Sequence, residues 1–552
     1  MPEYLSPGVY VEEVGGMGPK PLQSPSTSTA VFIGFTEKAD NTRMIDGEPI
    51  TYDLLNKATF VTNWTQFVKN FGSFVEGATL PHAVHGFFLN GGQRCYVVSV
   101  RTLPTAKTAL LNKDGQPQLI VESKQGGLSG LKLRVEVNVP EPSVPAPTSD
   151  EGEKAPSEKI STEQPFTMTV KKQGTTGSWL TKEVLKDVTL VEAPLPDGTK
   201  EIRLTYKNNK PSKLVDIVIP DSAGEELSLA TIWPRSQEQT LSIQEKLIAP
   251  PEYQDFKGDV TKRSGIEGLA ALDDVNIIVL PDLMTKMPGQ KLDLDLIKAT
   301  QTLLIAHCEN MGDRVCVLDV PPNLIPTEAR DWRMDITGYD TSYAAMYYPW
   351  IRIMDPATNR YIFVPPSGHI AGVWARTDNT RGVHKAPANE IIQGSTGLEY
   401  NVTSGEQSIL NPNGVNCIRA FPGMGIRIWG ARTISSDAEW RYISVRRVFN
   451  MIKKAIERGT MWTVFEPNDP VLWGRITRDV SGYLNSLWAV GALAGGSPAE
   501  AFFVKCDAEL NTKDAIDRGE LLIEVGVAPS KPAEFVIFRI SQMADAAGGG
   551  EE

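Results

Sequence analysis

The chain has 552 residues, of which 41% are hydrophobic, which is enough for about three or four domains with substantial cores. Its net charge of −12 and isoelectric point near 5.2 argue against a nucleic-acid-binding protein, because phosphate binding depends on Lys and Arg. No signal-sequence pattern opens the chain, and apolar stretches such as residues 487–494 are much shorter than the ~20 residues of a membrane helix. We therefore expect a soluble protein that is made in the cytoplasm, with no nucleic-acid partner and no direct membrane insertion.

The N-terminal region, residues 1–25, is predicted to be an extended arm. Residues 9–14, with the sequence VYVEEV, are β-prone, and the prolines on both sides exclude a continuous helix and leave no local partner strand. A strand without a neighbour leaves its backbone hydrogen-bonding groups unpaired. We therefore expect the arm to pair with a strand elsewhere.

Two stretches of the chain alternate between buried-strand and helix patterns. The first includes a helix at residues 64–71, which Asn63 caps and Gly72 ends. The predicted strands are residues 29–35, 94–100, 275–281, 314–320, 344–354 and 360–364, and the other predicted helices are residues 81–89, 292–311 and 327–336. This alternation predicts a parallel or mixed sheet. We assign residues 26–102 and 257–400 to one α/β middle domain.

The segment between these stretches, residues 103–256, is predicted to be a β-rich insertion. Short alternating strands begin at Leu133, Glu201 and Leu214 and are separated by Pro, Gly, Asn and Asp. Residues 140–165 are rich in Pro, Ser and Glu and contain almost no large apolar residue, so burial cannot offset their ordering entropy. They are predicted to form a mobile surface loop.

Residues 401–528 are predicted to be an α+β C-terminal domain. A long helix from residue 437 or 438 to Arg458 has apolar residues at helical spacing and basic residues largely on the other positions. A second helix is predicted at residues 471–490, and strands at residues 501–506 and 521–527. The whole chain is thus predicted to be multidomain, with α/β and α+β parts.

The last segment, residues 529–552, is predicted to be a C-terminal arm with a disordered tail. Its strand is apolar on both faces, through Phe535, Val536, Ile537, Phe538 and Ile540. Such a strand needs a partner. It could form a hairpin with residues 521–527, because two prolines lie in the turn between them. Pairing of the N-terminal strand with this hairpin in the same chain is an equal alternative at this point.

The sequence contains only weak patterns for catalytic, metal-binding or phosphate-binding sites. His82 and His85 could offer two metal ligands, but no third ligand accompanies them. No GxSxG elbow accompanies His307, His369 or His384, and no Gly-rich phosphate loop follows a strand. We predict no catalytic, cofactor-binding or metal-binding residues. The five scattered cysteines lie in apolar surroundings without a CxxC pair, which predicts buried reduced thiols rather than a zinc site.

Long motifs in this chain resemble those of contractile tail sheath proteins of myophages, phage-tail-like bacteriocins and contractile injection systems. The motifs are YLSPGVYVEEV, YYPWIRIMDPATNRYIFVPPSGHIAGVWARTDNTRGVHKAPAN, LNPNGVNCIRAFPGMGIRIWGARTI, EWRYISVRRVFNMIKKAI and APSKPAEFVIFRISQ. They cover the N-terminal arm and nearly all of residues 274–542. The insertion at residues 103–256 has no such counterpart, and family members vary in a domain that faces outward.

The resemblance implies a structural role without catalysis. In this family, subunits stack as hexameric rings around an inner tube, and contraction drives the tube through a target envelope. The implied partners are other copies of the chain, an inner tube protein, baseplate and terminator or cap proteins, and a second sheath paralogue. The implied location is a phage virion tail or a phage-tail-like injection particle, synthesised and assembled in the cytoplasm.

The resemblance also implies that arms of neighbouring subunits add strands to a sheet in a third subunit's C-terminal domain. The residues implied in this strand exchange are Val9, Tyr10, Val11, Glu12, Val14, Leu521, Ile523, Val525, Phe535, Val536, Ile537, Phe538 and Ile540. The resemblance makes pairing of the two arms within one chain the less favoured alternative.

Basic residues on the long C-terminal helix give a further hypothesis. Arg446, Arg447, Lys453 and Lys454 could face an acidic inner tube or an acidic neighbour, and a solvated helix face is the equal alternative.

Two other classes of protein stay open. One is a static tube or surface-layer protein with the same arm exchange. The other is a hydrolase that uses His82, His85 or His369.

Overall fold

A computed structural model describes most of the chain, and it shows two compact units. The sheet unit comprises residues 28–380 and 387–443, and the C-terminal unit comprises residues 1–27, 381–386 and 444–552. The described residues are 22–45, 48–140, 165–174, 176–194, 200–206, 210–219, 232–244, 248–286, 291–535 and 537.

The first elements of the sheet unit are the two predicted strands, the two predicted helices and three further strands that were not predicted. They are β1 (Ala30–Thr36), β2 (Asp40–Ile45), β3 (Glu48–Asp53), β4 (Thr59–Val61), α1 (Trp64–Phe71), α2 (Leu80–Leu89) and β5 (Cys95–Thr102). Asn63 caps α1 by accepting a hydrogen bond from the Gln66 N–H at 2.8 Å, and Gly72 ends the helix with φ at 81°. The predicted cap and stop of α1 are therefore present.

The next segment consists of antiparallel strands. They are β6 (Thr105–Leu111), β7 (Pro117–Gly126), β8 (Leu133–Asn138), β9 (Phe166–Gln173), β10 (Trp179–Pro194), β11 (Lys200–Tyr206), β12 (Val215–Val218) and β13 (Gln237–Thr240). They form one five-stranded sheet, in the order β11-β10-β9-β8-β13, and one three-stranded sheet, β12-β7-β6. The two sheets share a hydrophobic core that includes Leu119, Val135, Phe166 and Trp233. The predicted loop at residues 140–165 lies almost wholly outside the described residues.

The α/β pattern then resumes. Its elements are α3 (Tyr253–Lys257), β14 (Ile277–Val279), α4 (Leu294–Met311), β15 (Val315–Asp319), α5 (Pro326–Asp331), β16 (Ala344–Tyr348), β17 (Ile351–Asp355), β18 (Arg360–Val364), α6 (Ser367–Arg381), β19 (Ser395–Leu398), α7 (Ser404–Leu410), β20 (Val415–Phe421) and β21 (Gly425–Ile428).

An eight-stranded sheet organises the sheet unit, in the order β21-β20-β16-β15-β14-β1-β5-β4. The central strands pair in parallel, and β4 and β21 pair antiparallel at the two edges. All seven residues of β1 are buried. Val31 and Ile33 join the core on one face, and Ala30 and Phe32 join the core on the other. A parallel sheet that is covered on both faces explains why its strands are almost continuously apolar.

Two predictions for this unit need correction. The strand predicted at residues 344–354 is two strands, because Pro349 has no N–H for the ladder and separates β16 from β17. β17 joins β18 and β19 in a separate three-stranded sheet. The domain boundary predicted at residue 401 is also misplaced: β20 pairs with β16 and extends the large sheet, and the C-terminal unit resumes only at Ser444.

The C-terminal unit contains two long helices and a small sheet. Its elements are α8 (Ile443–Thr460), α9 (Pro470–Ala489), α10 (Pro498–Ala501), β22 (Phe502–Lys505), α11 (Lys513–Asp517) and β23 (Glu524–Val527). Val448 and Ile452 of α8 pack with Leu472 and Leu484 of α9 in one hydrophobic core. The predicted α/β and α+β multidomain class is confirmed. Within the described residues, none of the helices is long and apolar enough to cross a membrane.

Candidate site of strand exchange

The candidate site is the small sheet of the C-terminal unit. β22 and β23 pair antiparallel, with Phe502 opposite Val527 and Lys505 opposite Glu524. Alternate side chains point toward the core of the unit, as expected for a sheet that is buried on one face. The side chains that pack on this core are Phe502, Val504, Val525 and Val527.

Both edges of this sheet are open as far as the described residues extend. Within them, β22 and β23 pair only with each other. The Ala528 N–H donates to the Ala501 carbonyl at 2.8 Å, next to the paired residues. Because bonded and non-bonded positions alternate along an antiparallel ladder, the backbone N–H and C=O groups of Val504 and Val525 point outward. Each edge can therefore receive a further strand.

The outward face of the sheet carries an exposed aromatic ring. Phe503 lies directly opposite Gly526 and is 53% exposed. A Cβ atom at residue 526 would lie 2.7 Å from Phe503 Cδ1, so the ring occupies the space that a side chain would fill. The sequence predicted this strand but not its role as half of the site. The alternation along the sequence, in which Phe502 and Val504 face the core and Phe503 faces outward, is the pattern that could have indicated a sheet with one exposed face.

The residues predicted on the β23 side have two different positions. Val525 belongs to β23, whereas Leu521 and Ile523 precede it, and all three pack against the core of the unit. Their side chains thus support the sheet from beneath. A strand added at the edge would bond to the backbone rather than to these side chains.

The predicted hairpin between residues 521–527 and 534–540 is not formed by the described residues. β23 pairs with β22, and the chain after β23 runs beside residues 492–494, with the Ala494 N–H donating to the Ala528 carbonyl at 2.8 Å. Phe535 and Ile537 lie outside any strand and are 73% and 81% exposed. The partner of β23 comes from a non-adjacent segment, which local turn signals do not identify.

The remaining predicted exchange residues lie outside the described residues. These are Val9, Tyr10, Val11, Glu12 and Val14 of the N-terminal arm and Val536, Phe538 and Ile540 of the C-terminal arm.

The basic residues of α8 do not share one exposed face. Arg446 and Arg447 are buried, and Arg447 Nη2 donates a hydrogen bond to the Thr27 carbonyl at 2.9 Å. Lys453 is exposed, whereas the Lys454 side chain is mostly buried, with its Nζ 3.5 Å from a Glu457 carboxylate oxygen. The hypothesis of an acidic partner is therefore wrong for the two arginines and stays a prediction for the two lysines.

The histidines predicted for an alternative hydrolase are packed in the sheet unit. His82 Nε2 lies 3.2 Å from Asp355 Oδ1, and this hydrogen bond holds the pKa of Asp355 well below its usual range. His369 is 2% exposed, and burial lowers its pKa to about 3. Burial, and to a lesser degree the nearby His82, lowers the pKa of His85. Within the described part of the chain, no three His, Cys, Asp or Glu side chains are arranged to hold a metal ion.

The carboxyl end of the parallel strands, where open α/β sheets often bind ligands, is occupied by two buried carboxylates. Asp282 follows β14 and accepts hydrogen bonds from the Phe35 and Leu80 N–H groups at 2.7 and 3.1 Å. Asp319 ends β15 and accepts hydrogen bonds from the N–H and hydroxyl of Ser367 at the start of α6. Both carboxylates join strands to the beginnings of helices, which is a structural role.

Asp319 is expected to make stability depend on pH. Burial raises its pKa to about 7 from an ordinary value of 3.8. A carboxyl whose folded pKa is raised gives stability that is fully present below about pH 4 and is lost as the pH rises through 7, at up to ~1.4 kcal/mol per pH unit. Asp319→Asn should therefore flatten the fall in unfolding free energy between pH 5 and 7, as measured by urea denaturation.

The control for this measurement is Asp114→Asn, which makes the same charge change at an exposed position. It should leave the pH dependence unchanged. Equal slopes for Asp319→Asn and the wild-type chain would contradict the assignment.

Comparisons with known proteins assign most of the second half of the chain. Residues 258–434 match the family model described as the phage tail sheath protein central domain, and residues 435–543 match the phage tail sheath C-terminal domain. Together these regions make up more than half of the chain.

Curated relatives include tail sheath proteins of several phages. The chain is 28% identical over 207 residues to the tail sheath protein of Vibrio phage KVP40, which is 37% of this chain and 30% of that protein. It is 28% identical over 202 residues to a putative prophage major tail sheath protein of Pseudomonas aeruginosa, covering 35% and 50% of the two chains. The aligned part thus spans half or less of the length of these relatives.

Solved structures match the fold over nearly the whole chain. A chain of the anti-feeding prophage baseplate matches with a TM-score of 0.54 and 22% identity, over 98% of this chain and 100% of that one. A chain of the sheath complex of the extracellular contractile injection system PVC, in its contracted state, has the same TM-score and identity over 98% and 99%. The chain therefore shares its fold with these two chains.

Proposed function

The chain belongs to the phage tail sheath family, and we propose that it is the structural subunit of a contractile sheath. In this proposal, subunits polymerise as stacked hexameric rings around an inner tube, and the polymer shortens to drive the tube through a target envelope. The observation that carries it is the β22–β23 sheet, which has no further partner strand at either edge among the described residues, so that each edge can receive a strand from another copy. The family is structural, and we propose that this chain catalyses no reaction.

Strand exchange suits a polymer that must change length without coming apart. Each junction is formed by backbone hydrogen bonds, worth ~0.5–1.5 kcal/mol each, and by apolar burial. A strand that joins two subunits can keep these bonds while the subunits move as rigid bodies. The free energy of contraction must then come from contacts that differ between the two lattices, since a change of state requires differential interactions.

We assign the donated strands to the two arms. The N-terminal strand would comprise Val9, Tyr10, Val11, Glu12 and Val14. The C-terminal strand would comprise Phe535, Val536, Ile537, Phe538 and Ile540. The exposure of Phe535 and Ile537 in the single chain supports this assignment, because two large apolar side chains at 73% and 81% exposure are expected to be covered in the assembly.

The proposed partners are other copies of the chain, an inner tube protein, and baseplate and terminator or cap proteins, with a second sheath paralogue as a further candidate. Lys453 and Lys454 are the proposed contacts with an acidic tube or neighbour. Assembly is proposed to take place in the cytoplasm, as part of a virion tail or a tail-like injection particle. The genes next to this one would distinguish the two kinds of particle. Capsid genes nearby would indicate a phage. Genes for a tube, a baseplate and an AAA+ ATPase, without capsid genes, would indicate an injection particle.

Electron microscopy of the purified full chain tests the proposal. We expect tubes in a long, narrow form and in a short, wide form. Deletion of residues 1–20 should abolish these tubes while the circular dichroism of the subunit stays unchanged. Tubes of one fixed length and width would favour a static tube or surface-layer protein, and normal assembly without residues 1–20 would contradict the arm assignment.

A further inference from the structure

The chain just before β1 is held on the C-terminal unit by three separate contacts. Leu22 packs into the core of that unit, Ser24 contacts α9, and Thr27 contacts α8. We call these contacts the arm clamp, which consists of Leu22 with Gly459, Ser24 with Tyr483, and Thr27 with Arg447.

Leu22 occupies a notch that exists because residue 459 is glycine. A Cβ atom at residue 459 would overlap Leu22 Cγ and would lie 3.1 Å from Leu22 Cδ2. Gly459 lies within the last turn of α8, where glycine costs ~0.5–1 kcal/mol relative to alanine. Glycine is needed at residue 459 in spite of this cost, because a side chain there would occupy the space that Leu22 fills.

The polar contacts of the arm clamp involve side chains that are themselves buried. Tyr483 is 5% exposed, and its hydroxyl lies 3.1 Å from Ser24 Oγ. Arg447 is 4% exposed and donates to the Thr27 carbonyl at 2.9 Å. A hydrogen bond from a buried guanidinium is charge-assisted, and its loss leaves a charged donor unsatisfied. These contacts therefore resist the opening of the segment.

The arm clamp and the β22–β23 sheet pack against the same hydrophobic core. Ile452 of α8 and Leu472 of α9 belong to the same core as Leu22, Phe502 and Val525. The place where the N-terminal arm begins and the sheet that receives arms are thus two parts of one packed body. Their separation stays constant as long as that core stays intact.

We propose that the arm clamp fixes the point at which the N-terminal arm leaves the C-terminal unit and stays closed while the sheath contracts. When neighbouring subunits move relative to one another during contraction, the connecting chain then bends outside residues 22–27. Residues Leu22, Gly459, Tyr483 and Arg447 are positioning residues in this role. The inference rests on the proposed sheath function, but the clamp itself is a contact within a single chain.

A disulfide lock tests the proposal directly. A Cβ atom at residue 459 would overlap Leu22 Cγ, which is one bond from Leu22 Cβ, so the double variant Leu22→Cys with Gly459→Cys is expected to bring its two Cβ atoms within disulfide range. The five native cysteines are all buried. On mild oxidation we expect the cross-link to form in the unassembled full chain. The cross-linked chain should assemble and reach the same contracted length as its reduced form, as measured by electron microscopy. Failure to cross-link, or a cross-linked sheath that assembles but cannot shorten, would overturn the proposal.

A notch-filling variant tests the importance of the clamp for assembly. Gly459→Leu should displace Leu22, make residues 22–27 susceptible to proteolysis, and raise the concentration needed for assembly at least tenfold. The matched control is Gly474→Leu on α9, where a Cβ atom would meet nothing within 4 Å. The control should assemble as the wild-type chain does. Equal assembly of the two variants would overturn the positioning role.

These outcomes are separate from failure of the proposed function. If the wild-type chain forms no contractile tubes, the sheath proposal fails, whatever the variants do. If the wild-type chain contracts and the cross-link does not form, only the arm clamp fails.

Discussion

Proline at residue 504 is expected to weaken sheath assembly while the subunit stays folded. The Val504 N–H points away from β23, toward the edge of β22 that has no partner strand in the described part of the chain. Val504→Pro therefore removes no hydrogen bond of the existing ladder. It does remove a donor that an added strand would use, and its ring occupies the edge. A donated strand would make only a few backbone hydrogen bonds there, at ~0.5–1.5 kcal/mol each, so this loss would be a large fraction of the free energy of the junction.

The expected result is a rise of at least tenfold in the concentration needed for assembly, measured by sedimentation and electron microscopy. A tenfold rise corresponds to ~1.4 kcal/mol per junction. Val504→Ala is the control, because it shortens the same core-facing side chain and keeps the N–H. It should assemble close to the wild-type concentration.

The edge of the sheet formed by β23 can be tested with the same pair of proline and alanine variants. Val525→Pro should block strand addition at β23, with Val525→Ala as its control. Proline at Phe503 should instead break the bond to Gly526 across the ladder and lower the melting temperature of the C-terminal unit. If both edge prolines assemble normally and keep the melting temperatures of their alanine controls, the sheet does not receive strands at these edges.

Local signals in the sequence predicted part of the helices and strands of this chain, but not β2, β3, α6 or α7. Asn63 and Gly72 set the ends of α1 through contacts within a few residues, and the apolar run of β1 reflects burial on both faces of a parallel sheet. Pro349 shows the limit of such patterns, because an apolar run of eleven residues contains two strands that belong to different sheets.

Non-local contacts explain what the sequence did not predict. The partner of β23 is β22, which precedes it by about twenty residues and is separated from it by α11. Arg447 lies on the basic side of the helix pattern, yet it is buried because its guanidinium bonds to Thr27, 420 residues earlier in the chain. A periodic pattern identifies the core stripe of α8 but not which chain segment covers the opposite face.

The motif PSGHIAG also has a role that its residue types alone did not reveal. Gly368 and Gly372 lie on α6, where it packs against α2. A Cβ atom at residue 372 would lie 2.5 Å from the Phe87 carbonyl oxygen and 2.8 Å from Asn90 Cβ. The two helices approach backbone to backbone, and glycine is required by this distance and not by a special φ angle.

Gly372→Ala is therefore expected to destabilise the sheet unit more than most single substitutions. The added methyl group meets backbone of α2, which cannot rotate away, and Asn90 beside it is fully buried and donates to the Gln393 carbonyl at 3.1 Å. Overpacking of this kind costs about 1–3 kcal/mol and sometimes more. Urea denaturation of the full chain should show the loss in the transition of the sheet unit.

Gly405→Ala gives the matched control in the same unit. Gly405 is exposed on α7, and a Cβ atom there would meet nothing within 4 Å. Because alanine is the better helix former, this variant should be neutral or more stable by up to ~1 kcal/mol. A Gly372→Ala chain as stable as the Gly405→Ala chain would mean that α2 and α6 separate freely at this point. The close helix contact would then not be what requires glycine in the motif.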